Sequence, residues 1–251
     1  MDMNTTQPPS TSPSGSLRDV FWPRPGYVAT PILMGINILV FVGMVLTGVN
    51  IMSPTGQDLV NWGANYTPLT YGGQPWRLLT ACFLHIGLIH IVVNMMSLRV
   101  LGSQIEPLLG TSRFAVGYVV TGLTGSLVSL WWHDMVVSAG ASGAIFGIEG
   151  MLVGLLLTNL FDAAARKALL KNSLSVVGIN LLIGAGIGAD NAAHLGGFLG
   201  GLLVGLSYYY VIRAELGWPA PRLLARNAVA FGLSALVVVV LALFVFSRSP
   251  L

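Results

Sequence analysis

Of 251 residues, 54% are hydrophobic and 8% charged, with a mean hydropathy of +0.78, where a soluble domain carries roughly 25% charged residues. Such a chain lacks the polar groups to cover a water-facing surface, so lipid is its expected solvent. A net charge of +3 and a pI near 9.2 would point a soluble protein at nucleic acid, but the basic residues fall between apolar segments rather than in one patch, so no nucleic-acid partner is expected. The single cysteine, Cys82, excludes an internal disulfide and a thiolate metal cluster.

Residues 1–26 are rich in Ser, Thr and Pro and read as a disordered tail. The first apolar run comes late and lacks a small-x-small cleavage site, which argues against a signal peptide. Apolar segments follow at 28–52, 78–101, 114–132, 140–160, 168–189, 191–212 and 227–247. Each is near the ~20 residues that carry a helix across the hydrocarbon core. The expected fold is therefore an all-α, polytopic membrane helix bundle of seven transmembrane helices. Residues 27–212 form a six-helix core, and 213–251 a linker with an additional C-terminal helix.

Basic residues orient the bundle. With the N-terminus inside, Arg18, Arg24, Arg99, Arg113, Arg166, Lys167, Lys171, Arg213, Arg222 and Arg226 lie on the cytoplasmic side, and only Arg77 and Arg248 lie outside. The C-terminus is then extracytoplasmic. Ser142 opens the fourth span from the outer face, His194 opens the sixth from the same face, and His90 lies in the second. These groups share one depth below the outer surface.

Ser142 stands between Gly140 and Gly143, whose missing Cβ atoms let a substrate backbone come close. A serine hydroxyl needs a base to become a nucleophile. His194 begins the run AHLGGFLGG, in which Gly197 and Gly201 lie at i+3 and i+7 on the histidine's face. Small residues at this spacing let membrane helices pack backbone to backbone, and Gly143, Gly147, Gly150 and Gly154 offer the facing surface. Packing of spans four and six would bring His194 to Ser142. Taken alone, the glycines signal only packing, but an ionisable group aligned with them inside a membrane is costly. His90 and Asn94, four residues apart, share a face of span two. An imidazole N–H, an amide and the Ser142 backbone N–H make three donors suited to an oxyanion; the plainer reading is a polar pair joining helices.

These residues resemble the rhomboid intramembrane serine proteases. The resemblance rests on Trp76-Arg77 in the first outer loop, His85, His90, Asn94, Glu106 followed by Gly110, Gly140-x-Ser142-Gly143, and Ala193-His194-x-x-Gly197-x-x-x-Gly201, in that order. It implies a Ser142–His194 dyad, with Ser142 as nucleophile and His194 as general base and then acid, and no carboxylate to orient the histidine. It implies oxyanion roles for His90 and Asn94, a nucleophile turn opened by Gly140, and structural roles for Trp76, Arg77 and Glu106. His85 is expected to hydrogen-bond at a loop–helix junction without doing chemistry. The implied substrates are single-span or polytopic membrane proteins within the bilayer, cut near their extracytoplasmic ends. The compact chain fits a bacterial cytoplasmic membrane. No cofactor or metal is implied, and the sequence sets no oligomeric state.

Acylation and release need water, so the polar side chains near the outer face predict a wet cavity open to that side. Gly184, Gly186 and Gly188 predict an interrupted, mobile connection between spans five and six, near which the resemblance implies substrate entry. Glu149, at i+7 from Ser142, is expected as a hydrogen-bonding strut to another span, with proton movement as the alternative. Arg99 and Glu106 are expected as an interfacial ion pair, and His133-Asp134 as a solvated loop pair. The rival readings are a transporter, for which no internal repeat speaks, and a silent rhomboid relative that binds membrane proteins without cutting them, which the presence of both Ser142 and His194 disfavours.

Overall fold

A computed structural model describes residues 20–215 and 223–248. Of the tail expected over 1–26, residues 1–19 lie outside the described residues. Residues 20–26 carry local structure: Arg24 and Tyr27 pair through their backbones, and the Tyr27 hydroxyl donates to the Val20 carbonyl.

The long helices are α1 (Ala29–Leu46), α5 (Leu88–Leu109), α6 (Thr111–Trp132), α7 (Ser142–Leu156), α8 (Ala163–Ile187), α9 (Asn191–Glu215) and α10 (Leu223–Ser247). Six of them are long and apolar enough to cross a membrane, and α7 is a shorter apolar helix. The protein is an integral multi-pass membrane protein with an all-α fold. Its segments follow the expected seven, with the largest displacement at the start of the second. The run expected over 78–101 begins with a short helix, α4 (Arg77–Thr80), and a 3-10 turn (Ala81–Phe83), and α5 begins only at Leu88. Gly87 causes the break: its φ is +87°, and a Cβ there would lie 2.2 Å from the Met52 carbonyl oxygen, so only glycine fits. Beyond residue 101, α5 continues through polar residues to Leu109, because Glu106 finds its partners inside the protein.

Those partners organise the end of the bundle at which α1 starts. The Glu106 carboxylate accepts from the backbone N–H groups of Val28, Ala29 and Thr30 and from the hydroxyls of Thr30 and Thr111, at 2.7–3.0 Å. The first N–H groups of a helix have no intrahelical acceptor, and a carboxylate there also meets the positive end of the helix dipole. Glu106 is thus an N-terminal cap supplied by another helix. It forms no ion pair with Arg99, contrary to the sequence expectation.

At the other end, the connection from α1 to α5 folds over the bundle. It contains α2 (Gly56–Asn61), β1 (Asn65–Tyr66) and α3 (Thr67–Tyr71), and β1 pairs antiparallel with β2 (Val137–Ser138) just before α7. Arg77 ties this loop together from within. It is 6% exposed, donates to the carbonyls of Val60 and Ala64 and to the Gln74 side chain, and lies over the Trp76 ring at 4.7 Å.

Helices α6, α7 and α9 form the centre. Glycines set the α7–α9 approach: a Cβ on Gly197 or Gly201 would lie 2.0 Å from the carbonyl oxygen of Gly143 or Gly147. Helix α1 packs on α5, while α8 and α10 lie at the periphery with 17% of their spans buried, against 67% for α6.

Candidate active site

Ser142 is the first residue of α7 and is half-buried. The turn before it depends on Gly140, with φ +145°, whose N–H donates to the Ala81 carbonyl at 2.9 Å. A Cβ at Gly140 would stand 2.8 Å from the His90 ring, and the space left open is bordered by His90 Nε2 and Ser142 Oγ, at 3.1 and 3.5 Å from that absent carbon. Glycine here provides both a backbone conformation and a vacancy beside the hydroxyl.

His194, on the first turn of α9, is 8% exposed. Its Nε2 lies 2.9 Å from Ser142 Oγ, and its Nδ1 lies 3.1 Å from Asn191 Oδ1. The Asn191 amide nitrogen donates to the Leu181 carbonyl on α8, which leaves Oδ1 as an acceptor. The neutral imidazole therefore carries its proton on Nδ1 and turns the Nε2 lone pair to the serine. Phe146, one turn along α7 from Ser142, stacks on the ring at 4.4 Å and 4°. The sequence reading named neither Asn191 nor Phe146. Both were within reach of helical periodicity, at i−3 from the histidine and i+4 from the serine.

The Asp190 carboxylate lies one residue before α9 and makes no hydrogen bond to the His194 ring, although its charge reaches it. It accepts from the Ala193 N–H and the Ser129 hydroxyl, and its Oδ1 lies 3.3 Å from His133 Nε2. Burial pushes its pKa up, but hydrogen bonds from Ser129, Ser138 and Ala193 and the neighbouring His133 outweigh that, and the net shift is downward. His133 is therefore partnered with Asp190, which corrects the expected solvated pair with Asp134.

His90 Nδ1 accepts from the Ile86 N–H at 3.1 Å, so the neutral ring carries its proton on Nε2, toward the vacancy beside Gly140. Asn94 is 4% exposed and its amide donates to the His90 carbonyl at 3.0 Å, with a second N–H left over. As the opening residue of α7, Ser142 has a backbone N–H with no intrahelical acceptor. His85 packs against the His90 ring, with centroids 5.3 Å apart, but is fully buried and neither of its nitrogens has a hydrogen-bond partner among the described residues. The hydrogen bonding expected at His85 is reduced to a weak approach to the Phe83 backbone, because burial beside a second imidazole leaves the ring few polar neighbours. Burial and then the His90 charge push its pKa down to about 3.

Glu149 is 4% exposed on α7 and hydrogen-bonds Ser173 of α8, while its Oε2 is buried without a partner. Trp76, Arg77 and Glu106 lie away from the hydroxyl, in the loop and cap described above. Gly184 and Gly186 do not interrupt α8: the helix runs to Ile187, and only Gly188, with φ +71°, turns the chain. A helix can carry glycine where its backbone hydrogen bonds stay intact.

A helical membrane bundle with a serine and a histidine in hydrogen-bond contact defines a class. The family model for the Rhomboid domain matches residues 72–211, more than half of the chain, and the chain belongs to the rhomboid family. It is 37% identical to RHOMBOID-like protein 2 of Arabidopsis thaliana over 173 residues, 68% of this chain and 54% of that protein. It is 33% identical to RHOMBOID-like protein 6, mitochondrial, from the same plant, over 73% of this chain and 58% of that one. Against Rhomboid protease GluP of Bacillus subtilis it is 35% identical over 221 residues, 85% of this chain and 39% of that protein. The chain thus spans about half the length of the relatives it matches.

Proposed function

We propose that this protein is an intramembrane serine endopeptidase working through a Ser142–His194 dyad. The observation that carries the reading is the 2.9 Å contact between Ser142 Oγ and His194 Nε2, with His194 Nδ1 already committed to Asn191. Ser142 Oγ attacks the substrate carbonyl as Nε2 takes its proton. The oxyanion settles in the vacancy beside Gly140, facing His90 Nε2–H, the Asn94 amide and the Ser142 N–H. His194 then passes the proton to the leaving amine, leaving an acyl-enzyme. Water then attacks the acyl carbon as the same nitrogen takes its proton, the bond to Ser142 Oγ breaks, and that proton returns to Oγ as the acid leaves.

Substrates are membrane proteins whose helices are cut near the end at which α7 begins, with a small residue before the cut and helix-destabilising residues nearby. The distribution of Lys and Arg supports placing that end on the extracytoplasmic side, with the N-terminus inside; the membrane we assign is a bacterial cytoplasmic one. The test is cleavage of a single-span substrate by purified protein in liposomes, comparing wild type with Ser142→Ala and His194→Ala. Wild type is expected to cut and both variants to lose at least about a thousandfold in rate. Equal cutting by all three removes the assignment. Absence of cutting by wild type, together with no fluorophosphonate labelling at Ser142, replaces it with a non-catalytic binding role.

A further inference from the structure

At the opposite end of the bundle from the dyad, a cavity of about 310 Å³ is lined by Arg24, Tyr27, Arg99, Val100 and Ser103. Its two arginines reach it from two segments, close to the start of α1, where Glu106 caps Val28, Ala29 and Thr30. Arg24 precedes α1, on a segment held by the Arg24–Tyr27 backbone pair and by Gly26 packing on Pro107, and its guanidinium lies over the Tyr27 ring at 4.6 Å. Arg99 comes from within α5, seven residues before Glu106, or about 10 Å along the helix toward the bilayer centre.

A guanidinium at that depth is costly unless it reaches the interface or an anion. Arg99 forms no ion pair or hydrogen bond among the described residues. The nearby carboxylate, Glu106, already accepts from five donors of α1 and Thr111. Three charges act on Tyr27: burial pushes its phenol up, Arg99 and then Arg24 pull it back, and Glu106 adds a smaller upward push. With the Glu106 carboxylate engaged by its five donors, Arg99 brings an unmatched positive charge to the cavity. Its wall at Val100 continues a lipid-facing stripe of Ile89, Val92, Val93, Met96 and Val100, each 47–69% exposed.

We propose that this cavity binds the phosphate of an anionic phospholipid, with the acyl chains lying along that stripe of α5. Arginine forks suit phosphate oxygens, and a basic pocket at a helix boundary is an expected anionic headgroup site. The continuous apolar stripe selects a lipid over free phosphate, since inorganic phosphate leaves that surface unused. The site is independent of the protease reading.

The test is native mass spectrometry of the full-length protein in detergent with phosphatidylglycerol or phosphatidylcholine of identical chains. Wild type is expected to retain one phosphatidylglycerol in preference to phosphatidylcholine, with retention unchanged by millimolar inorganic phosphate. The double variant Arg24→Gln/Arg99→Gln is expected to lose about tenfold or more of that retention, whereas Lys167→Gln/Lys171→Gln, which removes two positive charges elsewhere, keeps it. The single variant Arg99→Gln, at an exposed position, is expected to show a partial loss and covers the case of a double variant that does not fold. Equal retention of both lipids, retention unaffected by the arginine variants, or displacement by inorganic phosphate overturns the proposal.

Discussion

Asn191 connects three parts of the protein through one amide: its oxygen fixes the His194 tautomer, its nitrogen holds Leu181 of α8, and its backbone opens α9. In the proposed chemistry it is a positioning residue, and Asn191→Ala is expected to lower kcat about 10- to 100-fold with little change in KM, as loss of an orienting partner does. Separate kcat and KM values from a cleavage time course check this; a change confined to KM would count against it. His85 makes a different prediction. With its pKa down at about 3 when folded and about 6.5 when unfolded, it is neutral in both states above pH 6.5. Below that, the unfolded state takes up the proton first, so stability is lost as pH falls from about 6.5 toward 3, by up to about 1.4 kcal/mol per pH unit. Thermal unfolding of wild type and His85→Phe from about pH 8 to about pH 4 should show a shallower acid decline in the variant.

At the scale of elements, the contrast is between α9, which is set into α6 and α7 by backbone contact, and α8, which buries only Ser173, Val177 and Gly184. Its polar ties to the centre include Glu149–Ser173 and Asn191–Leu181. Glu149→Gln keeps a group able to hydrogen-bond Ser173 and is expected to retain activity and stability, while Glu149→Leu breaks the tie and should raise hydrogen exchange in α8 selectively. Uniform exchange across the bundle in the Leu variant would mean that Glu149 acts on the whole core. The α7–α9 contact was legible in the sequence because Gly197 and Gly201 keep a helical period opposite Gly143 and Gly147. The start of α5 was not, because hydropathy averages over Gly87, and what forbids a helix there is a carbonyl from the distant residue Met52. Gly184 and Gly186 misled for the opposite reason: glycine weakens a helix without ending it. Glu106 read as half of an ion pair because sequence proximity showed Arg99, while its true partners, Val28 to Thr30, lie on another helix. Asn191 left no signal beyond its position, since its value depends on a carbonyl of α8.

For the molecule as a whole, α7 is the helix to follow. It has 15 residues, about 22 Å of helix in a hydrocarbon core of about 30 Å, yet none of its residues is exposed. Surrounded by protein along its length, it takes its depth from its neighbours. A thicker or thinner bilayer therefore acts on a substrate helix, which lies in lipid, and leaves the distance between Ser142 and His194 alone. If the protease reading holds, lengthening the lipid chains is expected to slide the cut along the substrate by about one residue per 1.5 Å, seen in product masses, with fluorophosphonate labelling of Ser142 unchanged. On that reading, where the cut falls is a joint property of two proteins and the membrane between them, whereas the contact between Ser142 and His194 is set by this chain's own packing.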